Sequence, residues 1–238
     1  MLISVVIPAY NEEKYLPLTL KALQNQLHPN FDFEIIVADA ESSDKTVEIA
    51  KEFGAKVIIV PKINPATARQ KAVEISRGEI IACIDADTIV PQGHLQNLVW
   101  EFTKDPQIVG LSGLIEGSGG RPWLNFLYKV GNNFFSRLNY LLGRTGFQGQ
   151  SFAFKKSAFR KIGGFNTQLH TGEDFDLGIR MSRVGKVKFI NKTFGISSTR
   201  RAKEGLFKAM FRGFVSYLAV VWKITFFKKE KEEFPSVR

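Results

Sequence analysis

The sequence predicts an α/β fold with a mostly parallel central sheet flanked by helices. Three observations carry this. Apolar runs of strand length alternate with runs of helical period through residues 1–90, the connections between them are short, and Ile80–Ile84 is apolar without interruption, as a strand covered on both faces must be. Strand–helix–strand repeats with short turns close as right-handed crossovers, and these build parallel sheets.

Ser4–Ile7 reads as the first strand, stopped at Pro8, and Leu16, Leu20, Leu23 and Leu27 follow at helical spacing. Phe33–Val37 is the second strand. Ser43 stands as an N-cap before a helix carrying Val47, Ile49, Ala50 and Phe53, and Gly54 sits where a C′ glycine belongs. Val57–Val60 is the third strand. Asn64 and Pro65 supply an N-cap and a first-turn proline, Gly78 ends that helix, and Ile80–Ile84 is the fourth strand. Farther on, Trp123–Leu142 reads as an amphipathic helix with Asn125, Lys129, Asn132 and Ser136 on one stripe. Gly143–Gln150 is a glycine-rich loop, Phe152–Phe154 a short strand, and Glu173–Val184 a helix closed by Gly185. No internal repeat or low-complexity linker interrupts this, so one domain with a C-terminal extension is expected.

Composition narrows the partners. The 238 residues carry 33 − 23 = +10 net charge, unevenly spread: residues 1–120 hold 10 Lys/Arg and 16 Asp/Glu, residues 121–238 hold 23 and 7. An acidic half suits a cation, and a basic half suits an anionic surface such as nucleic acid or an acidic membrane leaflet. The single cysteine, Cys83, excludes an internal disulfide and fits a reducing compartment. The N-terminus has no basic n-region and no apolar run has the length of a spanning helix, so neither a signal peptide nor a membrane span is expected. No phosphate-binding P-loop or well-placed G-x-G-x-x-G occurs, and His28, His94 and His170 show no metal-ligand spacing.

Parallel sheets bind ligands beyond the carboxyl ends of their strands. Those ends carry Ala9-Tyr10-Asn11-Glu12, Asp39-Ala40-Glu41 and Asp85-Ala86-Asp87. Two carboxylates one residue apart after a buried strand make a hard oxygen site for Mg²⁺ or Mn²⁺, completed by phosphate oxygens and water. Glu173-Asp174 opens a helix after Thr171-Gly172, where the helix N-terminus favours an ionised carboxylate at neutral pH. Such a group suits a base, and N-capping is the plainer alternative. His170 is close enough in sequence to reach the same place.

Together these segments resemble glycosyltransferase family 2. The matching stretches run in order over about residues 3–190: Val5–Glu13, Val37–Thr46, Ala68–Ala72, Asp85-Ala86-Asp87, Gly149–Phe154, Ile162–Phe165 and Gly172–Leu177. The resemblance implies a GT-A fold, Rossmann-like, and inverting transfer of a sugar from a UDP- or GDP-linked donor. Pro8, Ala9, Tyr10, Glu12, Asp39 and Arg69 would surround base and ribose, with Asp85 and Ala86 at the ribose and Asp87, with Asp85, on the metal. Asp174 would be the catalytic base. Gln150, Glu173, His170, Arg200 and Arg201 would lie on the acceptor or diphosphate side. Two departures stand out: Asp39-Ala40-Glu41 and Gln148-Gly149-Gln150-Ser151 differ from the commoner family patterns.

A phosphate monoester is already nucleophilic at neutral pH and needs no base, whereas a sugar hydroxyl does. The Glu173-Asp174 pair therefore favours a hydroxyl acceptor, on a lipid-linked or cell-surface glycan, over a polyprenyl phosphate. A non-catalytic basic membrane- or nucleic-acid-binding module is the remaining alternative. The expected division is residues 1–200 as catalytic domain, with 1–115 holding donor and 116–200 acceptor, and residues 201–238 as a basic tail. Within the tail, Lys208, Arg212 and Lys223 make a cationic stripe beside Phe207, Phe211, Phe214 and Trp222, a pattern suited to the cytoplasmic face of an anionic membrane rather than to nucleic acid. Oligomeric state stays open.

Overall fold

The computed structural model describes residues 1–27, 30–119, 122–141 and 145–198. In chain order they form β1 (Leu2–Ala9), α1 (Leu16–Gln24), β2 (Asp32–Asp39), α2 (Thr46–Glu52), β3 (Lys56–Ile59), α3 (Pro65–Ile75), β4 (Ile80–Ile84) and β5 (Thr88–Ile89). Then follow α4 (His94–Lys104), β6 (Ile108–Ser118), α5 (Pro122–Leu141), β7 (Ser151–Lys155), α6 (Lys156–Lys161), α7 (Glu173–Met181) and β8 (Lys186–Ser198). The sheet order is β3-β2-β1-β4-β7-β6-β8-β5. β3, β2, β1 and β4 pair in parallel, as do β6 and β8, while β7 runs antiparallel between β4 and β6 and β5 antiparallel on β8.

Side chains alternate between two cores, one on each face of the sheet. Ile3, Val5, Ile7, Ile80, Ala82 and Ile84 pack with Leu16, Leu20 and Leu23 of α1 and Leu95, Leu98 and Phe102 of α4. Val6, Ile81 and Cys83 face the other way, toward Ala68, Ala72 and Val73 of α3 and Leu177 and Met181 of α7. Both faces of β4 are thus covered, which is why its sequence is apolar throughout. On the second face Phe147, Phe152, Phe154, Phe159 and Phe165 stack or meet edge-on, with neighbouring centroids 5.0–6.5 Å apart.

Several local expectations change. α1 ends at Gln24, so Leu27 leaves the helical face and is exposed. Ser43 does not cap α2; its N–H instead donates to Asn11 Oδ1 at 2.9 Å, and the helix begins at Thr46. Gly78 does not close α3, which ends at Ile75; a Cβ there would stand 2.5 Å from the Ser4 nitrogen, so glycine lets this segment lie against β1. Asn64 caps α3 as expected, accepting from the Thr67 N–H at 2.8 Å. The chain also gains β8 and β6, the latter broken by Gly110 and Gly113, where the Phe147 and Phe194 rings lie against bare backbone.

Candidate functional site

The turns leaving β1 and β2 are locked to each other. The Ala40 N–H donates to the Ala9 carbonyl (2.8 Å), and the Asn11 N–H donates to Ser42 Oγ (2.8 Å), which in turn donates to Asp39 Oδ2 (2.5 Å). The Ser42 N–H takes the other Asp39 oxygen at 2.8 Å, and the Glu12 N–H donates to Thr46 Oγ1 at 2.7 Å. Asp39 is fully buried, and its carboxylate is the knot of this arrangement. Asn11 (φ 53°) and Glu41 (φ 60°) both adopt the left-handed region, costly for a side chain such as glutamate and open to glycine, which marks the departure at Glu41 as a strained position. Pro8 is half-buried, Ala9 buried, and Tyr10 presents an exposed ring with Lys62 Nζ 3.9 Å above it.

The Asp85-Ala86-Asp87 turn is fastened from three sides. Thr19 Oγ1 of α1 donates to the Ala86 carbonyl (2.8 Å), the Asp85 N–H donates to the Gln150 carbonyl (3.0 Å), and the Ser198 N–H of β8 donates to the Asp87 carbonyl (3.2 Å). Beneath it lies Arg69 of α3, only 3% exposed. Its guanidinium donates to Asp85 Oδ1 at 2.6 Å, to Glu173 Oε1 and to the Gly149 carbonyl at 3.2 Å. One cation thereby joins α3, the turn after β4 and the first residue of α7. Burial works against its charge, but Asp85 and then Glu173 outweigh that and raise its pKa.

Asp174 follows at the N-terminus of α7, after Gly172 in the left-handed region (φ 75°). A Cβ on Gly149 would come within 2.9 Å of Asp174 Oδ2, so bare backbone closes one side of the carboxyl. Burial, and then the charge of Glu173, push its pKa up to about 7, against Arg69 and two backbone N–H groups that pull it down. The expectation of a fully ionised carboxylate is thus corrected: a helix terminus contributes less than the loss of water and an adjacent like charge.

The structure brings Asp39, Asp85, Ala86, Asp87, Arg69, Glu173, Asp174 and Gln150 to the carboxyl edge of the sheet. Glu173 is buried and turned to Arg69, so it is an anchor for the guanidinium and not an acceptor-facing group. Arg69 is committed to three partners inside the protein and does not reach outward toward a base. His170 is exposed on the loop before α7. Arg200, Arg201 and His28 lie outside the described residues. Sequence reasoning assigned no role to Ser42, Thr46, Thr19 or Gly149, small residues whose roles depend on what the fold sets beside them. A groove of about 640 Å³ lined by Gln24, Phe33, Phe53 and Arg77 lies at the amino ends of the strands and shares no residue with this cluster.

The sequence profile of glycosyl transferase family 2 matches residues 4–163, more than half of the chain. The chain belongs to glycosyl transferase family 2. Members of this family are inverting glycosyltransferases. A 4,4'-diaponeurosporenoate glycosyltransferase of Staphylococcus haemolyticus is 30% identical over 239 residues, covering 92% of this chain and 61% of that protein. A poly(ribitol-phosphate) beta-glucosyltransferase of Bacillus spizizenii is 34% identical over 140 residues, covering 56% of this chain and 22% of that protein. This chain therefore spans less than two thirds of the length of either relative. Among solved structures, Staphylococcus aureus TarS with UDP-GlcNAc superposes with TM-score 0.68 at 22% identity, over 84% of this chain and 59% of that one. A mannosyltransferase from Pyrobaculum calidifontis with GDP-Man and Mn²⁺ gives 0.57 at 22% identity, over 82% and 56%. The fold of this family 2 chain is GT-A.

Its donor set fits a hard divalent cation that takes few protein ligands. Among the described residues no group of three or more His, Cys, Asp or Glu is placed to hold a metal by itself. Asp85 gives one oxygen to Arg69 and is partly exposed, and Asp87 is half-buried two residues on. Around one guanidinium stand Asp85, Glu173 and Asp174, an excess of negative charge that a cation with phosphate oxygens would offset.

Proposed function

We propose that this chain is the catalytic part of an inverting glycosyltransferase that moves a sugar from a nucleoside diphosphate sugar to a hydroxyl acceptor. The observation that carries this is the Arg69 hub, which ties Asp85, two residues before Asp87, to Glu173, the neighbour of Asp174, at a single sheet edge. UDP- and GDP-linked sugars are the donors proposed, in keeping with the ligands of the two solved relatives.

In this reading the turns of Pro8–Glu12 and Asp39–Ser42 hold the base and ribose. Mg²⁺ or Mn²⁺ on Asp87, with Asp85 beside it, would supply charge neutralisation for the departing diphosphate. Asp174 accepts the acceptor's hydroxyl proton as that oxygen bonds to the anomeric carbon. The bond from that carbon to the diphosphate oxygen breaks on the opposite face, and the configuration inverts. A carboxyl whose pKa is pushed up to about 7 is a stronger base than an ordinary aspartate and is still substantially ionised near neutrality, which suits a hydroxyl better than a phosphate nucleophile. Arg69 acts here as a positioning residue, and the acceptor is proposed to be lipid-linked or part of a surface glycan at an anionic membrane. Among the described residues no helix is long and apolar enough to cross one.

The test is calorimetric titration of UDP, GDP and their sugar conjugates, with and without Mn²⁺, into the wild type and Asp87→Ala. Binding that requires both the metal and Asp87 is expected. Failure of every nucleotide to bind under all these conditions would remove the basis of the proposal.

A further inference from the structure

Lys62 is a cation at the sheet edge to which the proposed transfer gives no part. It lies exposed in the loop between β3 and α3, and its side chain turns back across the end of β2 to Tyr10. Its Nζ stands 3.9 Å from the centroid of the Tyr10 ring and donates to the Tyr10 hydroxyl at 2.5 Å. The ring is 40% exposed, and the ammonium sits on its open face. The backbone that carries Lys62 is fastened on both sides. The Val60 N–H donates to the carbonyl of Asp39 (2.8 Å), whose carboxylate already ties the first two turns together. Asn64 caps α3 and donates through Nδ2 to the Thr167 carbonyl at 2.8 Å. The root of Lys62 is therefore held, while its contact with the ring is readily exchanged: an exposed cation on an aromatic face is weakly bound, and a four-carbon stem is flexible.

Sheet order decides which part of a donor Lys62 can meet. In the order β3-β2-β1-β4, the strand before Lys62 stands three spacings from the strand before Asp85 and Asp87. At about 4.8 Å per spacing that is roughly 14 Å, so a diphosphate at the Asp85–Asp87 turn is beyond one lysine side chain. Lys62 and Tyr10 stand instead at the other end of the edge. Arg69 does not serve there, because its guanidinium is turned inward to Asp85, Glu173 and the Gly149 carbonyl.

We propose that Lys62 reads the nucleobase of the donor. The base stacks on the Tyr10 ring in place of the ammonium, and Lys62 moves to the base edge, where it donates to a carbonyl oxygen. Stacking alone selects no base, since every base has a face to offer. An ammonium carries donors and no acceptor. It therefore pairs with the exocyclic oxygen of uracil or guanine and is opposed by the exocyclic amine of cytosine or adenine. Lys62 is in this way a specificity residue for oxo bases. The inference rests on the transferase reading, which puts the base at the Tyr10 turn.

The experiment is calorimetric titration of two pairs, UDP with CDP and GDP with ADP, in the presence of Mn²⁺, into the full chain as wild type, Lys62→Ala and Lys62→Glu. The wild type is expected to bind the oxo member of at least one pair about tenfold or more tightly than its amino counterpart, because a mismatched group leaves the ammonium facing a donor. Lys62→Ala is expected to bring the members of that pair within about threefold, chiefly by weakening the oxo nucleotide. Lys62→Glu, whose carboxylate accepts a hydrogen bond, is expected to favour the amino nucleotide. Lys62 is exposed, so both variants should fold as the wild type does. A preference that Lys62→Ala leaves unchanged would overturn the proposal. Equal weakening of both members would overturn it too, by assigning Lys62 to the ribose or diphosphate that they share. In either case UDP or GDP still binds the wild type, so the transferase reading stands. Binding of none of the four nucleotides by the wild type would overturn that reading, and this inference with it.

Discussion

Replacing Asp174 with asparagine separates what this carboxyl does for chemistry from what it does to the fold. Its pKa is raised from 3.8 to about 7 by burial and by Glu173. A folded-state pKa above the unfolded value means that the native protein binds the proton more tightly. The group's contribution to stability is therefore fully present below about pH 4 and is lost as pH rises through about 7. A shift of about three units corresponds to roughly 4 kcal/mol at 1.36 kcal/mol per unit. Residual solvent contact and the sharing of charge with Glu173 reduce this to about 2 kcal/mol. Asp174→Asn keeps the shape and removes the charge, so it should melt about 4–8 °C higher than wild type at pH 8.5, with the gap closing toward pH 4. The same variant should lose about 10²–10⁴-fold in transfer rate, and wild-type kcat/KM should rise with pH through about 7. Thermal melts across the pH range and initial-rate assays on one preparation check both. A gap independent of pH, or an asparagine variant less stable at pH 8.5, would refute the account of the buried carboxyl; retained activity would refute the assignment of the base.

Arg69→Ala leaves Asp85 and Glu173 without their shared cation and should cost about 3–5 kcal/mol, read as a fall of roughly 10 °C in melting temperature. Arg69→Lys should recover less than half of that, since one ammonium cannot span both carboxylates as a guanidinium does. Gly178→Ala would place a Cβ 2.5 Å from the Thr145 carbonyl oxygen and 2.7 Å from the Phe147 nitrogen, both backbone atoms that cannot turn aside. It should destabilise by about 1–3 kcal/mol and lower kcat by shifting the start of α7, where a melt together with steady-state kinetics would show it.

Much of the first half was legible in the sequence because its signals are local. Strand β4 is apolar at every position, and Asn64-Pro65 starts α3 through a bond that spans three residues. Expectations failed where a long-range partner outbid a local one. Ser43 turned its N–H and its hydroxyl to Asn11, thirty-two residues away, so its side-chain oxygen does not accept from the helix that follows it. Gly78 serves its approach to Ser4 across the sheet. The antiparallel insertion of β7 between β4 and β6, and the pairing of β6 with β8, join segments far apart in the chain whose glycine-broken patterns carry no local signal.

The sequence by itself determined the class of fold, the side of the sheet on which acidic residues collect, and the order of the motifs, because strand periodicity and turn chemistry act over a few residues. Tertiary structure alone decided which charges meet. Arg69 pairs with Asp85 across sixteen residues and with Glu173 across one hundred and four, and half-buried Asp174 comes up against the backbone of Gly149. Electrostatic environment depends on distance in space and on exclusion of solvent, and neither is written in the order of the residues.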